Sequence, residues 1–193
     1  MKREHYRYRP EASGPFAVEH LRWGDPYELS DGHPIVCEPA RDPHGRSKAL
    51  GLLVIETDPA VEVAGVDTGF VLGPRTMRAP DISVRRGPVQ SGFIHGAPLL
   101  AVEFVAGERD EDDLERKVKE ILTAGTKLVW VVRIGHERRV EVHRRGRRVR
   151  VARSGEELAA PGILRNRVPV DAFYDRRVAH RLALRNLKQR LGD

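Results

Sequence analysis

The strongest hydrophobic pattern lies at residues 98–105, PLLAVEFV, a continuous apolar run broken by one acid, Glu103. Gly96 and Gly107 bound it. Such a run between glycines reads as a central strand buried on both faces. A charged stretch, residues 108–113, leads into a helix predicted over residues 113–124. Its aspartates suit a helix N-terminus, and Gly125 is the expected stop. Residues 127–133, KLVWVVR, read as a second buried strand. Strand, helix and strand follow one another within about 36 residues, a βαβ-like unit whose second strand belongs beside or near the first.

The flanking segments are less uniform. Asp31-Gly32, between Tyr27-Glu28-Leu29 and Pro34-Ile35-Val36, predicts a tight hairpin. The apolar positions Ala49, Leu50, Leu52, Leu53 and Ile55 predict a helix over residues 44–57, which Gly51 weakens. Strands are predicted at residues 61–64 and 68–72, a turn at Gly73-Pro74, and a returning strand over residues 78–84. After Gly135 the period changes to two. Val140-Glu141-Val142-His143 and Val149-Arg150-Val151 flank Gly146, predicting an antiparallel hairpin with one wet, basic face. A Pro-containing connector, residues 170–174 and a basic helix over residues 177–191 complete the chain. Three units are expected: a flexible N-terminal arm (1–20), a folded domain (21–176) and a basic C-terminal helix (177–193).

Composition narrows the class. The 193 residues suit one domain, and 40% hydrophobic residues suffice for one core. No run approaches the roughly 18 apolar residues of a membrane span, and the first ten residues contain no apolar signal region. A single cysteine, Cys37, excludes an internal disulfide framework and a cysteine-rich zinc site. A cytoplasmic protein with no membrane partner is the simplest expectation. Net charge is +6, unevenly spread. Residues 1–129 carry 17 Lys+Arg against 21 Asp+Glu, whereas residues 130–193 carry 17 against 7. An acidic part beside a basic part suits a metal in one place and a polyanion in another, although an arginine-rich solvated surface gives the same count.

Four side chains stand out by position. Glu103 lies inside the most apolar strand, where a carboxylate requires a partner. Asp81 follows Pro80 at the start of a strand, and Glu28 sits just ahead of a turn. Lys117 lies in the helix after the Glu103 strand, where Leu114, Val118, Ile121 and Leu122 form the apolar stripe. Lys117 borders that stripe, whereas Lys119 points further round toward solvent. An Asp on one strand, a Glu on the next and a nearby Lys suit metal-dependent phosphodiester hydrolysis. Mg²⁺ takes oxygen ligands and keeps several waters, so two or three carboxylates suffice. Plainer roles fit the same residues: a turn acid (Asp81), a structural ion pair (Glu103), a surface strand residue (Glu28) and a snorkelling helix-edge lysine (Lys117). His33, His44 and His143 lack metal-ligand spacing and read as ordinary surface or loop histidines.

The ordered set of motifs resembles the Uma-two family of restriction endonucleases, within the PD-(D/E)XK, restriction-endonuclease-like superfamily. Tyr27-Glu28-Leu29-Ser30-Asp31-Gly32 is similar to its opening YELIDG hairpin, and Pro80-Asp81-Ile82-Ser83-Val84 to its PDVSVV strand. Leu99-Leu100-Ala101-Val102-Glu103-Phe104-Val105 is similar to DLVVEVLS. Glu115-Arg116-Lys117, Ala124-Gly125 and Val129-Trp130-Val131-Val132 follow in the family's order, as does Val140-Glu141-Val142-His143-Arg144. His33, Ile121 and Arg133 depart from the family's pattern. The resemblance implies Asp81 and Glu103 as metal ligands, Glu28 as an accessory acid, and Lys117 as a catalytic lysine moved from the strand to the following helix.

The expected fold is α/β, a mixed central sheet flanked by helices with an antiparallel hairpin on its C-terminal side. The expected function is Mg²⁺-dependent, alternatively Mn²⁺-dependent, endonucleolytic hydrolysis of DNA. Arg144, Arg145, Arg147, Arg148 and Arg150 are expected to track the DNA backbone. Cleavage of both strands favours a homodimer. The alternative is a catalytically inactive nucleic-acid-binding or interaction module on the same fold.

Overall fold

The computed structural model describes residues 14–22, 24–37, 39–106, 111–135 and 137–192. Most of the expected N-terminal arm, Trp23 and the charged approach to the second helix (107–110) lie outside the described residues. The strands are β1 Tyr27–Ser30, β2 His33–Val36, β3 Val63–Val66, β4 Phe70–Gly73, β5 Thr76–Arg78, β6 Ile82–Arg85, β7 Ile94–His95, β8 Leu100–Val105, β9 Leu128–Arg133, β10 Arg139–His143, β11 Arg150–Arg153, β12 Glu157–Leu158 and β13 Val168–Pro169. The α-helices are α1 Asp42–Glu56, α2 Glu111–Thr123 and α3 Arg176–Leu191.

Six strands form the central sheet, in the order β11-β10-β9-β8-β6-β3. β8 and β9 are parallel and in register from Leu100↔Leu128 to Val105↔Arg133. The apolar runs therefore pair through α2, as the βαβ reading requires. Alternation assigns the two faces. Even positions (Leu100, Val102, Phe104, Leu128, Trp130, Val132, Val140, Val142) join α1 and α3 in the main core. Odd positions (Ala101, Val129, Val131) pack under Val118, Ile121 and Leu122 of α2. Complete burial of side chains such as Trp130, Phe173 and Ile82 contributes about 1.5–3 kcal/mol each.

The helices end where their sequences dictate. Asp175 caps α3, accepting from the backbone N–H groups of Arg177 and Val178, and Gly192 closes it in the left-handed region (φ 84°). α2 begins with Glu111, Asp112 and Asp113, which complement the helix dipole. α1 starts at Asp42-Pro43 and runs through Gly51, buried against Phe104, Phe173 and Ile82. α3 belongs to the same core: Ala179 and Leu182 join it, and Asn186 Nδ2 donates to Val54 O at 3.1 Å. Among the described residues no helix is long and apolar enough to cross a membrane.

Two expectations are corrected. The single strand predicted over residues 78–84 is two strands in different sheets. β5 belongs to a second, five-stranded sheet, β2-β1-β5-β4-β7, whereas β6 belongs to the central one. The break falls at Ala79-Pro80, where proline lacks the N–H to continue a ladder. The face predicted as wet and basic on the β10–β11 hairpin is mixed. Glu141 there pairs with Arg133 (2.9 Å) and Arg139 (3.5 Å), and exposed arginines run from the turn (Arg144, Arg145, Arg147, Arg148) into β11 at Arg150 and Arg153.

Candidate active site

Glu103 occupies an odd position of β8, so alternation turns it toward α2 rather than into the α1 core. The β6–β8 register, Ile82↔Val102, sets Asp81 opposite Glu103 when continued by one residue. Asp81 stands at the strand end, and its carboxylate turns back on the neighbouring chain. Oδ2 accepts the Phe104 N–H at 2.7 Å. Cross-strand geometry thus makes neighbours of two acids that are 22 residues apart in sequence.

Lys117 enters from α2. Its Nζ donates to Glu103 Oε2 and to Ala79 O, each at 3.0 Å, and lies 2.9 Å from Glu28 Oε1. The helical phase that sets Lys117 at the border of the apolar stripe therefore delivers its amine to the seam between the sheets. Lys119 is exposed, as the same phase predicts.

Glu28 is 5% exposed and not a surface strand residue. All four residues of β1 are buried, because its even positions face α2 instead of water. Glu28 Oε1 accepts the Ala79 N–H at 3.1 Å, and its Oε2 accepts from Arg78 Nη1 at 2.9 Å. Arg78 is fully buried and answers three acids. Besides Glu28, its Nε donates to Glu120 at 2.6 Å and its Nη2 to Asp113 at 3.2 Å. Ser30 Oγ donates to the other Glu120 oxygen at 2.6 Å. A buried guanidinium is tolerable only with such saturation.

The opposite helix supplies Lys48, which the sequence does not single out, and His44, which is not the ordinary surface or loop histidine expected. His44 and Lys48, four residues apart and therefore on one face of α1, both reach Asp81 Oδ1. The distances are 3.3 Å from His44 Nε2 and 2.7 Å from Lys48 Nζ. Lys48 also donates to Asp67 Oδ1 at 2.8 Å. Histidine-to-histidine ligand spacing says nothing about a histidine whose partner is a distant carboxylate. The one signal in the sequence is the His-x-x-x-Lys spacing on a helix entering the core.

The electrostatics separate the two acids. Burial pushes the Asp81 carboxyl up, but hydrogen bonds from His44 and Lys48, the Lys48 charge and the Phe104 N–H outweigh it and bring it down to about 2. Burial dominates at Glu103; against the attraction of Lys117, and with Asp81 and Glu28 adding repulsion, its carboxyl is pushed up to about 8. Burial lowers the Lys117 amine, yet Glu103 and Glu28 more than restore it and hold it above its ordinary value. The neighbouring carboxylates thus favour a charged Lys117 amine, whereas burial favours proton uptake by Glu103.

The donor set suits a hard divalent cation. Glu103 Oε1 is buried and accepts no hydrogen bond from the described residues, an orphan acceptor beside Asp81. Among the described residues no three His, Cys, Asp or Glu side chains converge as a ready-made cage. Mg²⁺ needs none, because it commonly takes one or two carboxylates and completes its shell with water and substrate phosphate. Asp81 and Glu103 are the residues that would hold it.

The structure does not bring the hairpin arginines to these acids. Asp113, Lys117 and Glu120 line one flank of α2; Glu111, Glu115 and Leu122 line the other, facing Arg144, Arg145 and Arg147 across a groove of about 410 Å³. Residues 144–150 are all exposed.

The mixed sheets, the three flanking helices and the C-terminal hairpin define a restriction-endonuclease-like α/β fold. The crystal structure of a "putative nuclease belonging to DUF820" from Anabaena variabilis ATCC 29413 superposes on it with a TM-score of 0.69. That match has 19% identity and covers 80% of this chain and 93% of the other, a likeness of fold. Residues 18–171 match the Uma2 family, described as "Putative restriction endonuclease". The chain belongs to the Uma2 family, the one its ordered motifs resemble. No curated protein matches it.

Proposed function

We propose that this Uma2 protein is a metal-dependent endonuclease that hydrolyses DNA phosphodiester bonds. One observation carries the reading: Lys117 Nζ lies 3.0 Å from Glu103, whose second carboxylate oxygen is buried and has no partner among the described residues. Asp81 and Glu103 would hold Mg²⁺ or Mn²⁺. A cation bound there supplies Lewis acidity, activating a water and offsetting phosphate charge. Lys117 orients the attacking water or stabilises negative charge developing on the phosphoryl oxygens. Glu28 acts through Lys117, keeping its amine charged and aimed. Arg144, Arg145, Arg147, Arg148 and Arg150 contact the DNA backbone without reading sequence. A homodimer matches the two-fold symmetry of duplex cleavage.

A plasmid-nicking assay with Mg²⁺ or Mn²⁺ tests this reading. The wild type nicks; Asp81→Ala and Lys117→Ala do not. Equal nicking by all three proteins overturns the assignment. A second reading, a catalytically inactive nucleic-acid-binding module, draws on the density of protein cations around Asp81: Lys48 and His44 already occupy one of its oxygens. It predicts salt-dependent DNA binding with no nicking in either metal.

A further inference from the structure

Lys48 has no task in phosphodiester hydrolysis by Asp81, Glu103 and Lys117, yet it is held as closely as Lys117. Its ammonium lies between two carboxylate oxygens, 2.7 Å from Asp81 and 2.8 Å from Asp67. Asp81 precedes β6 and Asp67 follows β3, so the lysine joins the ends of adjacent strands. His44 closes the same Asp81 oxygen from one helical turn earlier. Across from Asp81, the buried Glu103 Oε1 has no partner among the described residues. Each acid of the pair thus carries a protein cation, Lys48 on Asp81 and Lys117 on Glu103, but of the two only Glu103 keeps a buried oxygen without a partner among the described residues.

An ammonium in contact with two carboxylates occupies the place of a hard cation. It differs in carrying one charge on a flexible four-carbon stem with rotatable donors, so it can leave. Its two acids differ in the same sense. The Asp81 side chain is 15% exposed, whereas that of Asp67 is 62% exposed. The inner contact is the one a metal would need, and the outer one lies toward water, where the ammonium can remain.

We propose that Lys48 is a displaceable counter-ion of the metal site: it neutralises Asp81 in the metal-free protein, and a divalent cation binds by moving it off Asp81 while Asp67 retains it. The inference rests on the metal-dependent reading of Asp81 and Glu103. Two consequences follow. The metal-free protein avoids an uncompensated Asp81 beside Glu103, whose own cation is Lys117. The apparent metal affinity is weakened by whatever fraction of the time Lys48 spends on Asp81.

Titration of the intact protein with Mn²⁺, without DNA, tests it. Calorimetry gives the affinity, and thermal melting gives the stability with and without metal. The variants are Lys48→Met, Lys48→Arg and Asp81→Asn. If Lys48 leaves Asp81 about one-tenth of the time, K48M binds Mn²⁺ about tenfold more tightly than the wild type. K48M also melts lower without metal and shows a larger metal-induced rise. K48R keeps the charge and stays near wild type, and D81N loses the response. Should K48M not fold, Lys48→Gln makes the same comparison. A wild type that ignores Mn²⁺ beside a K48M that binds it also supports the proposal, with the lysine outcompeting the metal. Equal or weaker binding by K48M, with a wild-type response that D81N abolishes, overturns the counter-ion role and leaves the metal site standing. No response from either protein overturns both.

Discussion

Lys117 Nζ lies 2.9 Å from Glu28 Oε1, although one residue belongs to the helix over the central sheet and the other to the second sheet. The amine is therefore aimed by two layers at once, with Glu103 on the central sheet as its third contact. The second sheet serves here as the support for Glu28, and Arg78 is what fixes Glu28.

Removing Arg78 should be among the most damaging single changes. Arg78→Ala leaves Glu28, Glu120 and Asp113 without their shared cation in a buried setting. Breaking a buried ionic group in this way costs about 3–5 kcal/mol. Urea denaturation followed by circular dichroism should show a midpoint shift of that size. Arg78→Lys should recover only part of it, because one ammonium cannot reproduce a three-way fork.

The raised Glu103 carboxyl gives a pH signature of known sign. Its folded value, about 8, lies well above the roughly 4.3 of an unfolded glutamate. The folded state then holds a proton that the unfolded state releases, so this contribution is complete below about pH 4.3 and falls as pH rises toward 8. Glu103→Gln should flatten that decline in metal-free melts between pH 5 and 8. A wild-type slope that survives in the variant argues against it. Mn²⁺ affinity should rise over the same interval, since the metal needs the carboxylate.

Asp81 behaves oppositely. Its folded value, about 2, lies below the unfolded one, so its contribution is present above about pH 3.9 and is lost as pH falls through 2. Asp81→Asn should remove stability at neutral pH and make the acid limb of the stability profile shallower. Guanidine melts at pH 2 and pH 6 give the comparison; equal slopes in both proteins would exclude the role given to His44 and Lys48.

Gly51 is a packing requirement. A Cβ there would stand 2.9 Å from Phe104 Cζ, 3.0 Å from Phe173 Cδ1 and 3.1 Å from Ile82 Cδ1. Gly51→Ala gains about 1 kcal/mol of helix propensity, but overpacking a core costs about 1–3 kcal/mol. The net change should lower the melting temperature. Displacing α1 also displaces His44 and Lys48 from Asp81, so Mn²⁺ affinity should change along with stability.

The hairpin arginines predict an electrostatic effect. Replacing Arg144 or Arg147 by Ala should reduce the slope of log affinity against log salt for DNA by about 1 for each phosphate left unneutralised. Unchanged slopes would move the DNA path elsewhere.

The β8–α2–β9 unit is legible in the sequence because its residues obey one rule each: apolar runs for buried strands, a stripe for the helix. The position of Lys117 beside that stripe follows from the same periodicity. The second sheet is not legible. Its strands are two to four residues long, and Glu28 and Ser30 look like a solvent face although α2 covers them. The crossing at Ala79-Pro80 looks like the interior of one strand. Nothing in the local sequence marks Arg78 until Glu28, Glu120 and Asp113 are seen to converge on it. His44 and Lys48 act on a residue more than thirty positions away, a relation that no local pattern encodes.

Both backbone groups of Ala79 are engaged at the crossing between sheets, its N–H by Glu28 and its carbonyl by Lys117. Any ligand or substitution that slid one sheet along the other, even by a single bond length, would be felt first at that amine. On the proposed nuclease reading, catalytic readiness and layer alignment are thereby tied together, and a misassembled molecule would be an inert one before it was an unfolded one.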